Sequence, residues 1–485
     1  MKPSKHTKNQ ENSRRNFIKH AAVAAAGFMI VPRHVLGGKG YLAPSDRLQV
    51  AGIGVGGKGQ SDIASFAKTG KADIAFLCDV DDRRAANSIR NFPRAKYYKD
   101  YREMLDKEHR HIDAVSVSTP DHNHAVQTMA AMQLGKHVYV QKPLTHDIYE
   151  ARKLTEAAQR YKVVTQMGNQ GASGDGVRQL QEWLDDGQIG KVETVYCWTD
   201  RPLWPQGISW PEPAAQIPKE LDWNLWLGTA RDLRYVEKLV PFNWRGWWEF
   251  GTGALGDMGC HLVEPPFRIL DLQYPKDVQC SVGSVYVDEF KRGYFPESCP
   301  PSSHVVMTYA KTKKTKGDLT LHWMDGGIKP ERPAELEANE RFGDNGVLFI
   351  GTRGKMICDV YGSNPRLLPT SRTAQARTKK TIERVPGGAE GHYGQWVEGC
   401  LAGYGKMKMS SPFEIAGPLT ETLLIANLAI RGFDIREARA DGKGYSYPGR
   451  DLKMIWDSQN IRVTNFEAAN QYIKREYRQG WTLGV

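Results

Sequence analysis

The chain has 485 residues, of which 40% are hydrophobic and 25% are charged, a balance typical of globular proteins with two or more domains. Most of the net charge of +11 comes from residues 1–40, so the remainder is only mildly basic; it carries no nucleic-acid-binding motif, and we therefore exclude a nucleic-acid partner. No stretch reaches the ~18 consecutive apolar residues of a membrane span, so we do not expect an integral membrane protein.

The amino-terminal segment has the pattern of an export signal. The run SRRNFIK, from Ser13 to Lys19, precedes a short apolar run from Ala21 to Val31. A charged region before a short apolar run is typical of secretory signals, and the paired arginines indicate the twin-arginine type. An ordinary amphipathic first helix is the alternative. We expect residues 1–44 to be a signal peptide and linker, the folded protein to begin near Ser45, and the mature protein to lie in the periplasm or outside the cell.

A glycine-rich loop follows the first strand that the sequence predicts, at residues 48–53. GVGGKG, from Gly54 to Gly59, fits G-x-G-x-x-G and leads into a helix, and the next strand, residues 72–78, ends in Asp79 about 20 residues after the last glycine. Such glycines let the backbone approach a pyrophosphate at the helix N-terminus, and such an acid binds a ribose diol and repels a 2′-phosphate. The pattern predicts NAD rather than NADP as the cofactor; a plain glycine-rich turn is the alternative. The predicted cofactor-binding residues of this region are Gly54, Gly56, Gly57, Gly59 and Asp79.

Strands and helices continue to alternate after this loop. Further strands are predicted at residues 112–118, 137–140 and 163–167. The alternation is typical of a doubly wound parallel sheet, in which ligands bind at the carboxyl ends of the strands. Thr119, Pro120 and Lys142 follow such ends, and we expect them to contact the cofactor. The sequence therefore predicts an NAD-binding Rossmann domain over residues 45–170.

The composition changes beyond the predicted Rossmann domain. Eight of the thirteen tryptophans lie between Trp198 and Phe250, and prolines interrupt this stretch, which indicates a long ordered insertion rather than one helix. Aromatic rings stack on the C–H faces of sugars, but they also pack in cores, and packing is the interpretation that we favour for most of them. Trp244 and Trp247 are our candidates for a sugar-binding wall.

A second glycine-rich stretch, residues 251–261, carries two chemically active side chains. Asp257 and His261 are four residues apart and share one face of the helix that this stretch predicts. A carboxylate beside an imidazole orients the ring and raises its pKa, which suits general acid–base catalysis near neutral pH. A helix-capping Asp and a surface His fit the spacing equally well.

The cysteines and the other histidines do not indicate a metal site. The seven cysteines include no pair with CxxC spacing, which excludes a disulfide scaffold or a zinc ribbon but leaves room for one disulfide. His122-x-His124 and His109-x-His111 are pairs without further ligands at convincing spacing. We expect no bound metal, and we expect His124 to open a helix at the nicotinamide site and to contact the cofactor.

Taken together, these motifs resemble those of the Gfo/Idh/MocA oxidoreductases, and the resemblance covers residues 46–440. The matching motifs are Gly54-x-Gly56-x-x-Gly59, Thr119-Pro120, Lys142-Pro143 and Asp257-x-Gly259-x-His261. The resemblance implies a Rossmann domain followed by an α/β domain with a large, open, mostly antiparallel sheet, which often serves as an oligomer interface. It also implies that Lys142, Asp257 and His261 form a catalytic trio beside the nicotinamide.

Two positions depart from the family pattern. The family usually has Glu-Lys-Pro where this chain has Gln141-Lys142-Pro143, and a Gln cannot neutralise the neighbouring lysine. Three residues after His261, Glu264 keeps a carboxylate that is common in the family but places it on a longer arm. Asn169 and Glu264 join Trp244 and Trp247 as candidate substrate contacts.

The resemblance and the export signal together imply an exported oxidoreductase that transfers hydride between a sugar or cyclitol carbinol and tightly held NAD. A redox-neutral glycoside hydrolase or lyase that acts through a keto-sugar is one alternative, and a degenerate sugar-binding protein is another. The ligand is then a small sugar, cyclitol or glycoside, and we expect a homo-oligomer. We predict a substrate and oligomerisation domain at residues 171–440, which includes the Trp-rich insertion at 198–250, and a tail that packs on the body at 441–485.

Overall fold

A parallel sheet organises the first part of the chain. The computed structural model describes residue 43 and residues 46–484, so the predicted export signal and the start near Ser45 lie outside the described residues. The strands of the sheet are β1 (Leu48–Ile53), β2 (Ala72–Cys78), β3 (Lys96–Tyr98), β4 (Ala114–Val117), β5 (His137–Val140) and β6 (Thr165–Met167). Their order is β3-β2-β1-β4-β5-β6, and all neighbours are parallel. The predicted doubly wound sheet is confirmed, with β3 as an additional strand.

Five helices connect these strands, and the sequence specifies most of their ends locally. They are α1 (Lys58–Lys68), α2 (Asp82–Asn91), α3 (Tyr101–Glu108), α4 (His124–Gln133) and α5 (Ile148–Tyr161). The side chains of Asp81 and Asp100 cap α2 and α3, and a reciprocal capping box of Asp147 and Glu150 begins α5. No side chain caps α1, which begins after Gly57. The side-chain cap is also missing at α4, so α1 is one of two helices of this domain whose first N–H groups are left to other partners.

A larger sheet follows, and it is mostly antiparallel, as the family resemblance implies. Its strands are β7 (Val192–Trp198), β8 (Asp277–Val282), β9 (Ser303–Tyr309), β10 (Thr315–Met324), β11 (Gly346–Gly351), β12 (Gly354–Cys358), β13 (Arg366–Leu368), β16 (Met454–Asp457) and β17 (Arg462–Val463). The strands β14 (Glu437–Ala438) and β15 (Tyr445–Ser446) form a separate two-stranded ladder. The order in the large sheet is β13-β12-β11-β7-β10-β9-β8-β16-β17, and only β7 and β10 run parallel. Buried and half-buried residues alternate along β9, so one face of this sheet lies in the core and the other faces outward.

The remaining helices pack on the large sheet or lie between its strands in the sequence, except α11, which packs against α1 and β1 of the first sheet. They are α6 (Asp175–Asp185), α7 (Trp223–Leu227), α8 (Gly253–Leu262), α9 (Glu264–Ile269), α10 (Ser371–Gln375), α11 (His392–Ala402) and α12 (Phe413–Phe433). The 21-residue α12 is long and apolar enough to cross a membrane, but 83% of its apolar window is buried inside the protein. It packs against α5, α8 and β8. A Cβ on Gly259 would lie 2.6 Å from Leu423, so this glycine lets α8 approach α12 closely.

The Trp-rich insertion is ordered but contains little regular structure. Within it lie only α7 and a short 3₁₀ helix at Asn243–Gly246. Seven of its eight tryptophans are buried, and most of these rings form a cluster with Leu221, Tyr235 and Phe250. Packing is therefore the main role of these rings.

The last described residues, 473–484, form a segment that we call the C-terminal strap. The Arg475 side chain is only 16% exposed and contacts the carboxylate of Glu150, at 3.1 Å, and the hydroxyl of Thr229, at 2.8 Å. Tyr477 donates to the same oxygen of Glu150 at 2.7 Å. Because Glu150 belongs to α5 and Thr229 to the Trp-rich insertion, the strap ties the two regions together.

Candidate functional site

The predicted dinucleotide loop packs so tightly that glycine is required at its key positions. Gly54 has a φ of +76°, and a Cβ there would lie 2.7 Å from the carbonyl oxygen of Ser118. A Cβ on Gly59 would lie 1.7 Å from the carbonyl oxygen of Gly54. The loop backbone is thus bare where α1 begins, and a pyrophosphate can approach it closely.

Asp79 ends β2 beside this loop and fixes its shape. One carboxylate oxygen accepts hydrogen bonds from the backbone N–H groups of Val55, at 2.9 Å, and Gly56, at 3.1 Å. The other oxygen accepts from Asp81 N at 3.0 Å. Burial raises the pKa of Asp79 to about 6, although these three donors favour the ionised form.

One cavity of about 460 Å³ joins the glycine loop to the predicted catalytic residues. Its lining includes the loop residues Gly54, Gly56 and Gly57 together with Asp79, Thr119, Pro120, Lys142, Asp257 and His261. The volume is in the range of pockets that bind small organic ligands. The uncapped helix start, the glycine loop and the carboxylate at the end of β2 fit NAD, with the catalytic candidates at the other end of the same space.

Lys142 and Asp257 form an ion pair at that end. Lys142 follows β5, and its Nζ donates to the Oδ1 of Asp257 at 2.7 Å and to the Asp257 carbonyl oxygen at 2.8 Å. Arg245 lies on the other side, with its Nε 3.4 Å from the same Oδ1. Burial alone would raise the pKa of Asp257, but the charges of Lys142 and Arg245 outweigh it and lower the pKa to about 2. Asp257 is therefore ionised, and it is Asp257 that neutralises the lysine that Gln141 cannot neutralise.

His261 lies one helical turn from Asp257 but makes no hydrogen bond with it. Its Nδ1 is buried without a partner among the described residues, and its ring packs edge-on against Tyr361, with the centroids 4.6 Å apart. Burial, reinforced by the charge of Lys142, holds the pKa of His261 well below its usual value. The carboxylate of Asp257 does act to raise this pKa, as expected, but burial and the charge of Lys142 outweigh it, so the net shift is opposite to the predicted one.

The depressed pKa of His261 has a direct consequence for the pH–rate profile. An imidazole accepts a proton only in its neutral form, and here that form persists below the usual value of 6.5. We expect the rate of substrate oxidation in the cofactor-loaded enzyme to show no decline as the pH falls from 7.5 through 6.5. Single-turnover measurements across this range test the expectation, and an acid limb centred near 6.5 would contradict it.

Gln141, which departs from the family pattern, is paired with a buried carboxylate on α1. Its Nε2 donates to the Oδ2 of Asp62 at 2.8 Å, and the Ser118 hydroxyl donates to the same oxygen at 2.9 Å. Lys58 contacts the other oxygen of Asp62. Burial raises the pKa of Asp62, and Lys58 partly offsets this effect. Gln141, directly after β5, thus has a carboxylate on the facing helix α1 as its partner.

This pairing predicts strong coupling between positions 62 and 141. Gln141→Glu would place two carboxylates in contact in a buried site, and we expect it to lower the free energy of unfolding by about 2 kcal/mol. Adding Asp62→Asn exchanges the two roles, so that an amide on α1 can donate to the one carboxylate at position 141. The double variant should therefore recover most of the lost stability. Urea unfolding of both single variants and the double variant measures the coupling, and additive effects would show that the two positions act independently.

Five of the predicted contacts do not line the cavity, and the first of them, Gly59, is buried at the start of α1. His124 begins α4 as expected, but its ring nitrogens face the carbonyl oxygens of Thr119, at 2.7 Å, and Pro143, at 2.8 Å. Asn169 is 1% exposed, and Trp247 is 3% exposed and packs on another ring, so both lie inside the core. Glu264 is buried against Arg268. Of these residues, His124 contacts the backbone of the predicted site through Thr119 and Pro143, whereas Trp244 does line the cavity.

Sequence reasoning missed several residues that line the cavity. Arg245 follows Trp244 in the Trp-rich insertion, and Tyr361, a non-glycine residue with φ +66°, lies far along the chain beside His261. Trp481 of the C-terminal strap also lines the cavity, near Tyr101. Basic residues inside the Trp-rich stretch, such as Arg201 and Arg245, were the available signal, but the sequence alone could not show which of them line a cavity.

Two family models match consecutive parts of the chain. The model described as an oxidoreductase family with an NAD-binding Rossmann fold matches residues 48–169, and its companion, a C-terminal alpha/beta domain, matches residues 192–311. Among curated relatives, a glycosyl hydrolase family 109 protein of Shewanella pealeana is 29% identical over 171 residues, covering 30% of this chain and 37% of that protein. A protein of the same name from Shewanella baltica is 30% identical over 171 residues, again covering 30% of this chain and 37% of that protein. The chain thus spans little more than a third of the length of these relatives.

Solved structures share the fold at low sequence identity. GenD2 from gentamicin A biosynthesis, in complex with NAD, is 19% identical with a TM-score of 0.52, over 78% of this chain and 93% of that chain. WlbA of Bordetella pertussis, with NADH and UDP-GlcNAcA, is 16% identical with a TM-score of 0.52, over 79% and 96%. Levoglucosan dehydrogenase with NADH and levoglucosan is 15% identical with a TM-score of 0.53, over 79% and 98%.

The two sheets, the glycine loop that fits NAD and the two consecutive family matches lead to one assignment. The order of the first sheet, with the loop and Asp79 at its carboxyl edge, is that of an NAD-binding Rossmann domain. The large, mostly antiparallel sheet that follows belongs to the companion domain. The chain is a member of the Gfo/Idh/MocA oxidoreductase family.

Proposed function

We propose that the protein is an exported, NAD-dependent oxidoreductase that transfers hydride between a sugar or cyclitol carbinol and a tightly held cofactor. The observation that carries this proposal is the meeting of Lys142, Asp257 and His261 in the cavity that also contains the glycine loop. The neighbours crystallised with levoglucosan and with UDP-GlcNAcA support a sugar as the substrate. These neighbours share only the fold, so the chemistry of the trio is the stronger support.

The side chains present divide the reaction between them. NAD, when bound, supplies a hydride acceptor. Lys142 uses two contacts on Asp257, and an ammonium has three N–H donors, so one donor is left for a substrate oxygen. His261, kept neutral by burial, accepts the hydroxyl proton as the substrate C–H bond breaks. Asp257 stays ionised through this cycle and holds the lysine in position.

The C-terminal strap supports retention of the cofactor. Trp481 lines the same cavity as Asp79, with its ring centroid 6.3 Å from that of Tyr101. The guanidinium of Arg102 also lies over the Trp481 ring, 4.5 Å from its centroid. A segment that must open to release the dinucleotide would slow its loss, which suits a protein exported to a place where free NAD is scarce.

A redox-neutral glycoside hydrolase or lyase is the second candidate function, and the similarity to glycosyl hydrolase family 109 proteins favours it. In this reaction the same trio would oxidise one ring carbon, and the adjacent C–H proton and the neighbouring aglycone would leave by elimination. In a hydrolase water would then add to the resulting double bond, and in either case hydride would return to the ketone carbon. Oxidation and reduction balance within one cycle, so retained NAD is never consumed.

The products of the cofactor-loaded protein separate the candidates. We expect nicotinamide in the purified protein by mass spectrometry after mild denaturation, and either a keto-sugar with reduced cofactor or a released aglycone without net redox change. Purified protein without nicotinamide would overturn retention. A loaded protein that binds sugars without turning any over would make it a sugar-binding protein instead. Fractionation of cells, with the paired arginines replaced by lysines as a control, tests export.

We further propose that the outward face of the large sheet meets a second copy of the chain. This face carries half-buried side chains such as Tyr196, Val306 and His322, and the rings of Tyr196 and His322 stack at 4.5 Å. Such a face leaves apolar surface for a partner to cover. Light scattering should find an oligomer, and Tyr196→Glu should shift it towards the monomer.

A further inference from the structure

Arg245 is held rigidly in the cavity by aromatic rings rather than by a dedicated acid. Its guanidinium lies 4.3 Å from the Trp244 ring, 4.6 Å from that of Phe242 and 6.0 Å from that of Trp204. Its Nη1 donates to the carbonyl oxygen of Phe242 at 3.1 Å. Stacked arginines keep a fixed orientation at little entropic cost, so this side chain presents a preformed fork to the cavity.

In the part of the chain that the structure describes, Arg245 has one carboxylate within ion-pair distance, and it shares that carboxylate with Lys142. Its one carboxylate contact, at 3.4 Å, is with the Asp257 oxygen that Lys142 already holds at 2.7 Å, so two cations share one anion. Asp121 also lines the cavity, and the charges of Arg245 and Lys142 partly offset the rise in its pKa caused by burial, but its Oδ2 accepts from the Thr252 hydroxyl and it forms no ion pair with Arg245. No hydrogen bond occupies Nη2 of Arg245 within residues 46–484. The guanidinium therefore retains donors for an anionic ligand.

A second arginine lines the same cavity. Arg201 contacts the neighbouring Asp200 through Nη1, at 2.7 Å, and its side chain is 27% exposed. Trp204 lies between the two arginines in sequence and contributes its ring to the wall beside them. This part of the cavity lining thus combines the flat apolar ring of Trp204, which suits the C–H face of a sugar, with the guanidinium groups of Arg201 and Arg245, which suit a planar oxyanion.

From this arrangement we propose that the sugar substrate carries a carboxylate, as in a uronic acid or its glycoside, and that Arg245 binds this group. The inference rests on the proposed sugar oxidoreductase function and names the class of sugar. A guanidinium fork binds a carboxylate through two parallel hydrogen bonds, whereas a neutral hydroxymethyl group offers one weak acceptor at the same place. Arg245 thereby acts as a specificity residue beside the catalytic trio.

Calorimetry on the NAD-loaded protein tests the proposal without requiring turnover. Glucuronate and methyl β-glucuronide are compared with glucose and methyl β-glucoside, and we expect the acidic member of each pair to bind at least about tenfold tighter. Arg245→Met keeps an unbranched side chain between the rings and should abolish this preference, whereas Arg245→Lys should keep part of it. Arg110→Met, at an exposed position, is the matched control and should behave like the wild type.

Reduced-nicotinamide absorbance with the same four compounds separates this inference from the proposed function. If uronides bind through Arg245 but none reduces the cofactor, the inference stands and the oxidoreductase function fails. If neutral sugars are oxidised as well as the acidic ones, the function stands and the inference fails. Equal binding of acidic and neutral sugars, binding of neither, or an unchanged preference in Arg245→Met each overturns the inference. Retained NAD content in every variant shows that the fold is intact.

Discussion

Replacing Lys142 with Met is expected to lower the rate of hydride transfer by about 1,000-fold, within the range for loss of a positioned proton donor. The Nζ of Lys142 is the group that contacts Asp257 and faces the cavity beside His261. Without it, Asp257 keeps only the longer contact with Arg245, so its pKa should rise from about 2. The variant therefore loses both a donor to the substrate oxygen and the charge balance around it.

Single-turnover kinetics of the NAD-loaded variant measures this effect. Lys68→Met, at an exposed position on α1, is the matched control, and its rate should equal that of the wild type. Lys142→Arg keeps the charge and should recover part of the loss. NAD content and melting temperature exclude a loss of folding as the cause. Turnover by Lys142→Met within about tenfold of the wild type would remove this residue from the proton-transfer step.

Replacing Arg475 with Met is expected to destabilise the protein by about 3–5 kcal/mol, the usual effect of removing one partner from a buried ion pair. Glu150 is 1% exposed, and its carboxylate would keep only the hydroxyl of Tyr477 and the backbone N–H groups at the start of α5. The Thr229 hydroxyl would also lose its contact with Arg475, while the Thr229 carbonyl oxygen would keep the backbone N–H of Arg478. Because the strap carries Trp481 to the cavity, we expect the bound NAD to dissociate faster as well.

Urea unfolding and dialysis of the loaded protein measure the two consequences separately. Glu476→Gln, one position further along the strap but exposed, should alter neither the free energy of unfolding nor the retention of NAD. Trp481→Ala leaves the Arg475 contacts in place and should accelerate loss of NAD with a smaller loss of stability. Equal retention of NAD in Trp481→Ala and the wild type would show that the strap does not hold the cofactor.

The Rossmann domain was predictable because its signals are local. Apolar runs bounded by glycines located β1, β2 and β5 to the residue, and the loop between β1 and α1 carried its own spacing pattern. β4 and β6 proved shorter than expected, since the hydrogen-bonded ladder ends before the apolar run does. β3 has only three residues, Lys96–Tyr98, and no apolar run marks it. Its pairing with β2 depends on tertiary contacts that a local pattern does not record.

The partners within the site were less predictable than its members. The spacing of Asp257 and His261 correctly placed both on α8, but it could not show that Lys142 would take the carboxylate. That outcome depends on how β5 and α8 pack, which is a long-range property. Arg245 was hidden because a Trp-rich stretch looks the same whether it packs a core or lines a cavity. The tail at 441–485 was expected to pack on the body, but the sequence did not indicate the partners of the strap, since its contacts join residues that are distant in the sequence.

The contact between Asp62 and Gln141 also limits how this family can diverge. A relative with Glu at the position of Gln141 should carry a neutral residue at the position of Asp62, because an ancestor that changed either site first would have passed through a protein with two facing acids or with none. We therefore expect each single substitution to be less stable than the double substitution, so that the two positions change together. Covariation between these two columns would therefore mark the lineages in which the negative charge moved from strand to helix.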